Sequence, residues 1–445
     1  MKPGKAMLTC YAVALMSLNS LAQTTPITLK QCVETAIANN IDVKQRDLQM
    51  QRSAVGWKQG KANLLPSLNG SVNHNLNQGR SIDPTTNSYV NQSYTSATYS
   101  LNADLTLFNG LRLINNLKAR QYDYEASRLE LQQQKDNLTL DVILAYLEIL
   151  TNIDLLEQAK KQESVSRQQV ERLEIMHKEG AIKPSDLYDL KGQLADNKLA
   201  IINSGNNLNA AKLRLAQLMN VPYNDALQVE RLTAEQFAMD YQATPDSIYQ
   251  VATEQLALVK AANLRQKSAE KDVKAARGAL FPTIGIGGGI DTRFSSTGVD
   301  TSGGKVSYYD QLSNNYSTGV GIGVSIPILN GLQRRNQVAL AKIDQKQAEY
   351  TAQTTQIQLK QNIERDHFNM EASLNKYQAL VDQVGSYTEN FRIAEVRFNE
   401  GASTSVEYLL AKNNLDRSNT NLIIQRYDYV LRTKILDYYQ GKMMW

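Results

Sequence analysis

RFNEGASTSVEYLLAKNNLDRS, Arg397 to Ser418, decides the fold because the chain carries a counterpart of it earlier, RLEIMHKEGAIKPSDLYDLKGQLADNK, Arg172 to Lys198. Glu179-Gly180-Ala181 matches Glu400-Gly401-Ala402, and Asp186 matches Glu407. Self-similarity at so long a spacing marks a tandem duplication. Each copy reads as two helices meeting at a tight turn. Gly180 and Gly401 end the incoming helices, since glycine takes the left-handed conformation of a helix C-cap without a Cβ penalty. The outgoing helices start at once. Thr404 and Glu407 have capping-box spacing in the second copy, while in the first Pro184 takes the first helical position and Asp186 lies in the first turn.

Outward from these turns, Leu111 to Glu179 and Leu332 to Glu400 contain no proline and only one interior glycine, Gly385. At 1.5 Å per residue each could run about 100 Å as one helix. Helices of that length require coiled-coil-like packing against neighbours. Leu138, Val142, Ala145, Leu147 and Leu150 supply an apolar stripe on the first. The return helices run from Pro184 to about Met219 and from Ser405 to about Tyr439. Shorter helices, Asp42 to Leu64 and Leu258 to Leu280, stop before Pro66 and Pro282, because a residue preceding proline avoids the helical region. Thr28 and Gln31 form a capping box for a helix reaching Asn39, and Thr244-Pro245-Asp246 opens another.

Between the shorter and the longer helix of each copy the period changes from helical to alternating. In LNGSVNHNL, Leu68, Gly70, Val72, His74 and Leu76 alternate with Asn69, Ser71, Asn73 and Asn75; SATYSLNADLTLF, from Ser96 to Phe108, repeats the design. In the second copy Ile284, Ile286 and Ile290, then Val320, Ile322, Val324 and Ile326, alternate with glycine and polar residues. An apolar face opposite a small or polar one over about ten residues is the pattern of a transmembrane barrel strand. A soluble hairpin lying on a core is the alternative. Four strands cannot close a water-filled barrel, and open edges are not tolerated in lipid. Three chains sharing one barrel would supply about twelve strands. The segments between the strands, NQGRSIDPTTNSYVNQ in the first copy, read as polar loops.

Composition narrows the class. Lys2 and Lys5 before an apolar run and Ser20-Leu21-Ala22 read as a secretory signal peptide over residues 1–22. No later stretch is long and apolar enough for a membrane helix. Cys10 falls in that peptide, leaving Cys32 alone and no internal disulfide. The formal net charge of +4, lowered by two when Lys2 and Lys5 are removed, comes from scattered charges of both signs. A nucleic-acid partner would need a basic face. His74, His177 and His367 have no ligand spacing, so no metal or cofactor is expected, and no nucleophile and base set points to an enzyme. GIGGGI at Gly285 precedes no helix and so does not read as a nucleotide loop. Tyr427, Tyr429, Tyr438 and Tyr439 read as packing residues.

The prolines in LLPSL and LFPTI, the strand-to-helix turns TLFNGL and PILNGL, the LMNVP segment, and the turns EGAIKPSDLYDL and EGASTSVEYLL occur in an order, doubled, that resembles the TolC-like outer membrane efflux protein family. The resemblance implies a mixed α/β membrane protein, mostly α. Its divisions are a first repeat at 23–222, an inter-repeat segment at 223–245 and a second repeat at 246–445. It also implies a homotrimer in the outer membrane of a Gram-negative-type cell, with four strands per chain in a 12-stranded β-barrel and long helical hairpins forming a tunnel into the periplasm. The expected function is the exit duct of a tripartite efflux system that exports small molecules. Type I protein secretion is the alternative within the fold, and a periplasmic coiled-coil adaptor or structural protein the alternative outside it. Partners implied are a periplasmic adaptor and an inner-membrane pump. The adaptor would meet the tip turns at Gly180, Ala181, Gly401, Ala402 and Ser403, and the tunnel would close near Asp186 and Glu407. Leu410 stands where some members place a second gate acid. Ser403 and Phe398 stand where others place a latching arginine and tyrosine, so closure would rest instead on Leu410 and dewetting.

Overall fold

The computed structural model describes residues 26–82, 87–91, 93–232 and 241–442. The segment read as a signal peptide, and the loop position Asp83, lie outside the described residues. In chain order the named elements are α1 (Leu29–Asn39), α2 (Ile41–Ala62), β1 (Ser67–Asn77), β2 (Arg80–Ile82), β3 (Tyr89–Asn91), β4 (Tyr94–Phe108), α3 (Arg112–Lys178) and α4 (Pro184–Met219). The second copy gives α5 (Pro245–Gln255), α6 (Ala257–Gly278), β5 (Thr283–Ser295), α7 (Tyr308–Asn314), β6 (Ser317–Ser325), α8 (Gln333–Asn399) and α9 (Ser405–Tyr439). The long helices α3 and α8 are unbroken over 67 residues each, and Gly385 does not interrupt α8. A single interior glycine costs a helix only about 1 kcal/mol.

The chain divides into two compact units, each drawing on both copies. One comprises Met1–Asp47, Glu130–Val259 and Gln356–Trp445; the other comprises Leu48–Leu129 and Lys260–Thr355.

The first unit is helical. Leu138, Val142, Ala145, Leu147 and Leu150 of α3 are all buried, as their spacing predicts. Thr28 caps α1 with both halves of its capping box formed, and Cys32, Val33 and Ala36 face inward. In the inter-repeat segment Val229 makes one parallel bridge with Ile27. The Tyr146 hydroxyl anchors that bridge, 2.6 Å from the Glu230 carbonyl and 3.2 Å from that of Ile27. Asp154 of α3 is a buried hub that accepts from Arg231 at 2.7 Å, from Tyr427 at 2.9 Å and from Arg426. The late tyrosines therefore do more than pack. Tyr427 serves Asp154, Tyr439 donates to Asp366 at 2.9 Å and Tyr438 bonds Gln133, because a buried phenol retains a hydroxyl that needs a partner.

The second unit holds a four-stranded antiparallel sheet in the order β1-β4-β5-β6. The β4–β5 pair joins the hairpins of the two copies. Trp57 stacks on Tyr124 with ring centroids 5.4 Å apart, and Arg265 reaches Asp123 at 2.9 Å, tying α2 and α6 to the start of α3. Strand passes to helix through two consecutive left-handed residues, Gly110 and Leu111 at φ +66° and +63°, and Gly331 and Leu332 at +60° and +61°.

The loops expected to be patternless are not. In the first, β2 and β3 form a short antiparallel ladder. In the second, Ser307 caps α7, and the buried Gln311 side chain receives Ser295 N at 2.8 Å while donating to the carbonyls of Ser295 at 2.9 Å and Val306 at 3.0 Å. Neither structure has a period to read, because β2 and β3 are three residues long and α7 seven, too short for a pattern to repeat.

Candidate functional site

Two surfaces carry the features a conduit requires, and each lies wholly within one unit. The first is the sheet. Its register aligns Leu68, Ala103, Gly288 and Val320 across all four strands, then Leu105, Ile286 and Ile322 on the next row and Leu101 with Ile290 beyond. These residues share one face. Val320, Ile322 and Leu68 are 80%, 69% and 66% exposed in the single chain, an apolar surface that water would not leave uncovered. The opposite face aligns Ser71, Ser100, Asp291 and Ser317, then Asn69, Asn102, Gly289 and Gly319. Ser71 and Ser100 share a hydrogen bond of 2.7 Å, and Ser317 donates to Asp291 at 2.8 Å. β1 and β6 lie at the two ends of the strand order, so among the described residues one edge of each has no strand beside it.

The second surface is the pair of helix turns, α3–α4 and α8–α9. Gly180 and Gly401 have φ of +70° and +71°. Gly180 N bonds His177 O and Ala181 N bonds Met176 O, while Gly401 N bonds Phe398 O and Ala402 N bonds Arg397 O, so both turns are Schellman caps. Val170, Leu173, Leu187, Leu190 and Tyr408 form the buried core beneath them. The Tyr408 ring packs against Phe398 at 4.9 Å and Phe391 at 5.5 Å, so the position expected to lack its latch tyrosine is filled by an aromatic clasp within the chain. The Tyr408 hydroxyl has no hydrogen-bond partner among the described residues, and burial pushes the phenol pKa up.

The turns enclose an open cleft of about 480 Å³ lined by Arg172, Asp186, Phe398, Ser403 and Glu407 among others. Ser405 bridges the copies: its hydroxyl lies 2.8 Å from Asp186 Oδ1 and 2.9 Å from Asp189 Oδ2 and donates to one carboxylate at a time. Arg172 donates to the Asn399 carbonyl at 2.9 Å. The Thr404 cap forms at 3.3 Å to Glu407 N, but the Glu407 carboxylate faces Arg397 at 3.8 Å instead of completing the box. An arginine within reach competes with the backbone amide for the carboxylate.

Asp186 and Glu407 therefore line one cleft. Gly180, Ala181, Gly401 and Ala402 are exposed on the turns around it, and the Ser403 hydroxyl is buried there without a partner among the described residues. Leu410 stands apart from the cleft lining and is 63% exposed. Sequence reasoning missed Ser405, Asp189, Arg172 and Tyr408. Ser405 and Asp189 stand in the two aligned turns, but only packing reveals that they meet, and that Arg172 reaches Asn399. Among the described residues no group of acids, histidines and cysteines has metal-site geometry, and no helix is long and apolar enough to cross a membrane.

The model of the family described as "Outer membrane efflux protein" matches residues 32–221 and 248–437, one segment in each copy. Outer membrane protein TolC of Escherichia coli (strain K12) is 22% identical over 426 residues, which cover 94% of this chain and 83% of that protein. Toxin and drug export protein A of Aggregatibacter actinomycetemcomitans is 23% identical over 415 residues, covering 90% and 83%. Among solved structures, the outer membrane protein VceC of Vibrio cholerae matches with a TM-score of 0.81 at 16% identity, over 94% of this chain and 97% of that one.

Proposed function

Since the chain belongs to the outer membrane efflux protein family, we propose that it is one third of a homotrimeric exit duct, which a periplasmic adaptor connects to an inner-membrane pump for the export of small molecules. The chain is an outer-membrane efflux channel of a Gram-negative-type cell and not an enzyme. A role as a periplasmic adaptor is set aside by that membership.

One observation carries the proposal. The sheet has an apolar face, a polar and glycine face, and one unpaired edge at each end of its strand order. Each unpaired backbone group exposed to hydrocarbon is costly, by several kcal/mol, so a spanning sheet must close. Three copies joined β6 to β1 close with about twelve strands, enough to surround water. The apolar face then meets lipid and the polar face the lumen.

Such a duct is passive, and the work of export comes from the pump. The exposed turn residues Gly180, Ala181, Gly401 and Ala402, with the partly buried Ser403 between the second turn and α9, form the adaptor contact in this proposal, and Asp186, Glu407 and Leu410 form the gate. Dewetting of a ring of three leucines restricts the passage of ions through the gate. Purified protein should run as a heat-modifiable trimer in detergent and give discrete conductance steps in planar bilayers. A folded monomer soluble without detergent would defeat the proposal. At the gate, Leu410→Ser should raise the step size by allowing the constriction to wet; an unchanged step would remove Leu410 from it.

A further inference from the structure

The polar face of the sheet carries three formal charges among the described residues: Asp104 on β4, and Asp291 and Arg293 on β5. Two of them neutralise each other. Arg293 lies 3.4 Å from Asp291, which also accepts from Ser317. Asp104 has a different setting. Its register partners are Ser67 on β1 and Gly287 on β5, with Gly321 one strand further, so no basic side chain shares its row. The residue is exposed, and one uncompensated negative charge per chain remains on this face.

The carboxylate also has a defined resting place. A methyl group on Gly287 would stand 2.9 Å from Asp104 Oδ1, closer than carbon and oxygen ordinarily approach. The side chain therefore fills the space that a residue other than glycine would occupy. Asn102, next along the same face, lies over Gly289 in the same manner. Both polar side chains lean onto the wall.

We propose that Asp104 is a selectivity-determining residue of the duct, supplying a ring of three carboxylates that Gly287 lets lie flat against the lumen wall and that favours the passage of cations. This rests on the trimeric reading above. A charge held on the wall attracts counter-ions without narrowing the path, and fixed charges lining a pore set its ion preference. Its reach is the Debye length, about 10 Å at 0.1 M salt and about 3 Å at 1 M. The preference should therefore weaken as salt rises.

The test is the reversal potential of purified trimers in planar bilayers under potassium chloride gradients, with Asp186 and Glu407 left intact. Asp104→Asn should lower the potassium over chloride permeability ratio about twofold near 0.1 M, change it little near 1 M, and leave the step size close to that of the unaltered protein. Asn102→Asp, which adds a second carboxylate one row away, should raise the ratio. Gly287→Ala should push the Asp104 carboxylate off the wall, reducing conductance while cation preference persists. An unchanged ratio at low salt for Asp104→Asn, or no rise for Asn102→Asp, overturns the inference; the second variant decides alone if the first gives no heat-modifiable trimers. Absence of conductance from the unaltered trimer overturns the duct itself and this inference with it.

Discussion

At the scale of single residues, burial gives two testable positions. Cys32 is fully buried in α1, and burial pushes its thiol up to about 12, so almost no thiolate exists at neutral pH. Iodoacetamide at pH 8 should leave the folded protein unlabelled and modify Cys32 only after denaturation, as mass spectrometry would show; rapid labelling of folded protein would contradict its placement. Tyr408 combines a well-packed ring with a hydroxyl that has no partner among the described residues. A buried unsatisfied group costs about 1–3 kcal/mol, whereas loss of a buried aromatic ring costs about 3–5 kcal/mol. Tyr408→Phe should therefore hold or raise the urea midpoint of the detergent-solubilised protein, and Tyr408→Ala should lower it sharply. A midpoint lowered equally by both would mean that the hydroxyl has a partner.

At the scale of elements, the duplicated turns are alike in conformation but not in surroundings. Gly110 packs directly on the backbone of Gly278 at the end of α6, while Gly331, with nearly the same φ, has open space around it among the described residues. An added methyl at Gly110 strikes a carbonyl; at Gly331 it meets only the left-handed conformation, worth about 1–2 kcal/mol. Gly110→Ala should abolish the yield of heat-modifiable trimers and Gly331→Ala should lower their melting temperature modestly. Equal losses would show that Gly331 is also covered in the assembly. The sheet supports a second expectation. Pro66 and Pro282 hold the same place in the two copies, as do Gly110 and Gly331, so the β4–β5 register carried across the repeat sets β6 of one copy against β1 of the next. It pairs Gly323 with Asn73. A protein carrying Gly323→Cys and Asn73→Cys should form covalent trimers on oxidation, seen on non-reducing gels; cross-linking only at a neighbouring position would mean that the register slips.

At the scale of the whole molecule, the reading from sequence succeeded wherever a periodic pattern was long. The two 67-residue helices began and ended within a residue of their expected limits, because glycine and asparagine turns punctuate an otherwise uninterrupted helical run. The strands were legible because one face must be apolar and the other polar or small. Duplication, long helices and four alternating strands were thus determined by the order of residues alone, since each follows from repetition or from local periodicity. Tertiary structure alone decided the rest. It placed Ser405 between Asp186 and Asp189, turned Glu407 from its cap toward Arg397, seated Tyr408 against Phe398, and held α7 through Gln311. It also left Asp104 without a cation in its row, while Asp291 pairs with Arg293 two residues along its own strand. The Ser405 contacts join residues 219 and 216 positions apart, and those of Glu407, Tyr408 and Gln311 cross turns and loops that have no period, so no periodicity encodes which partner a polar side chain will meet.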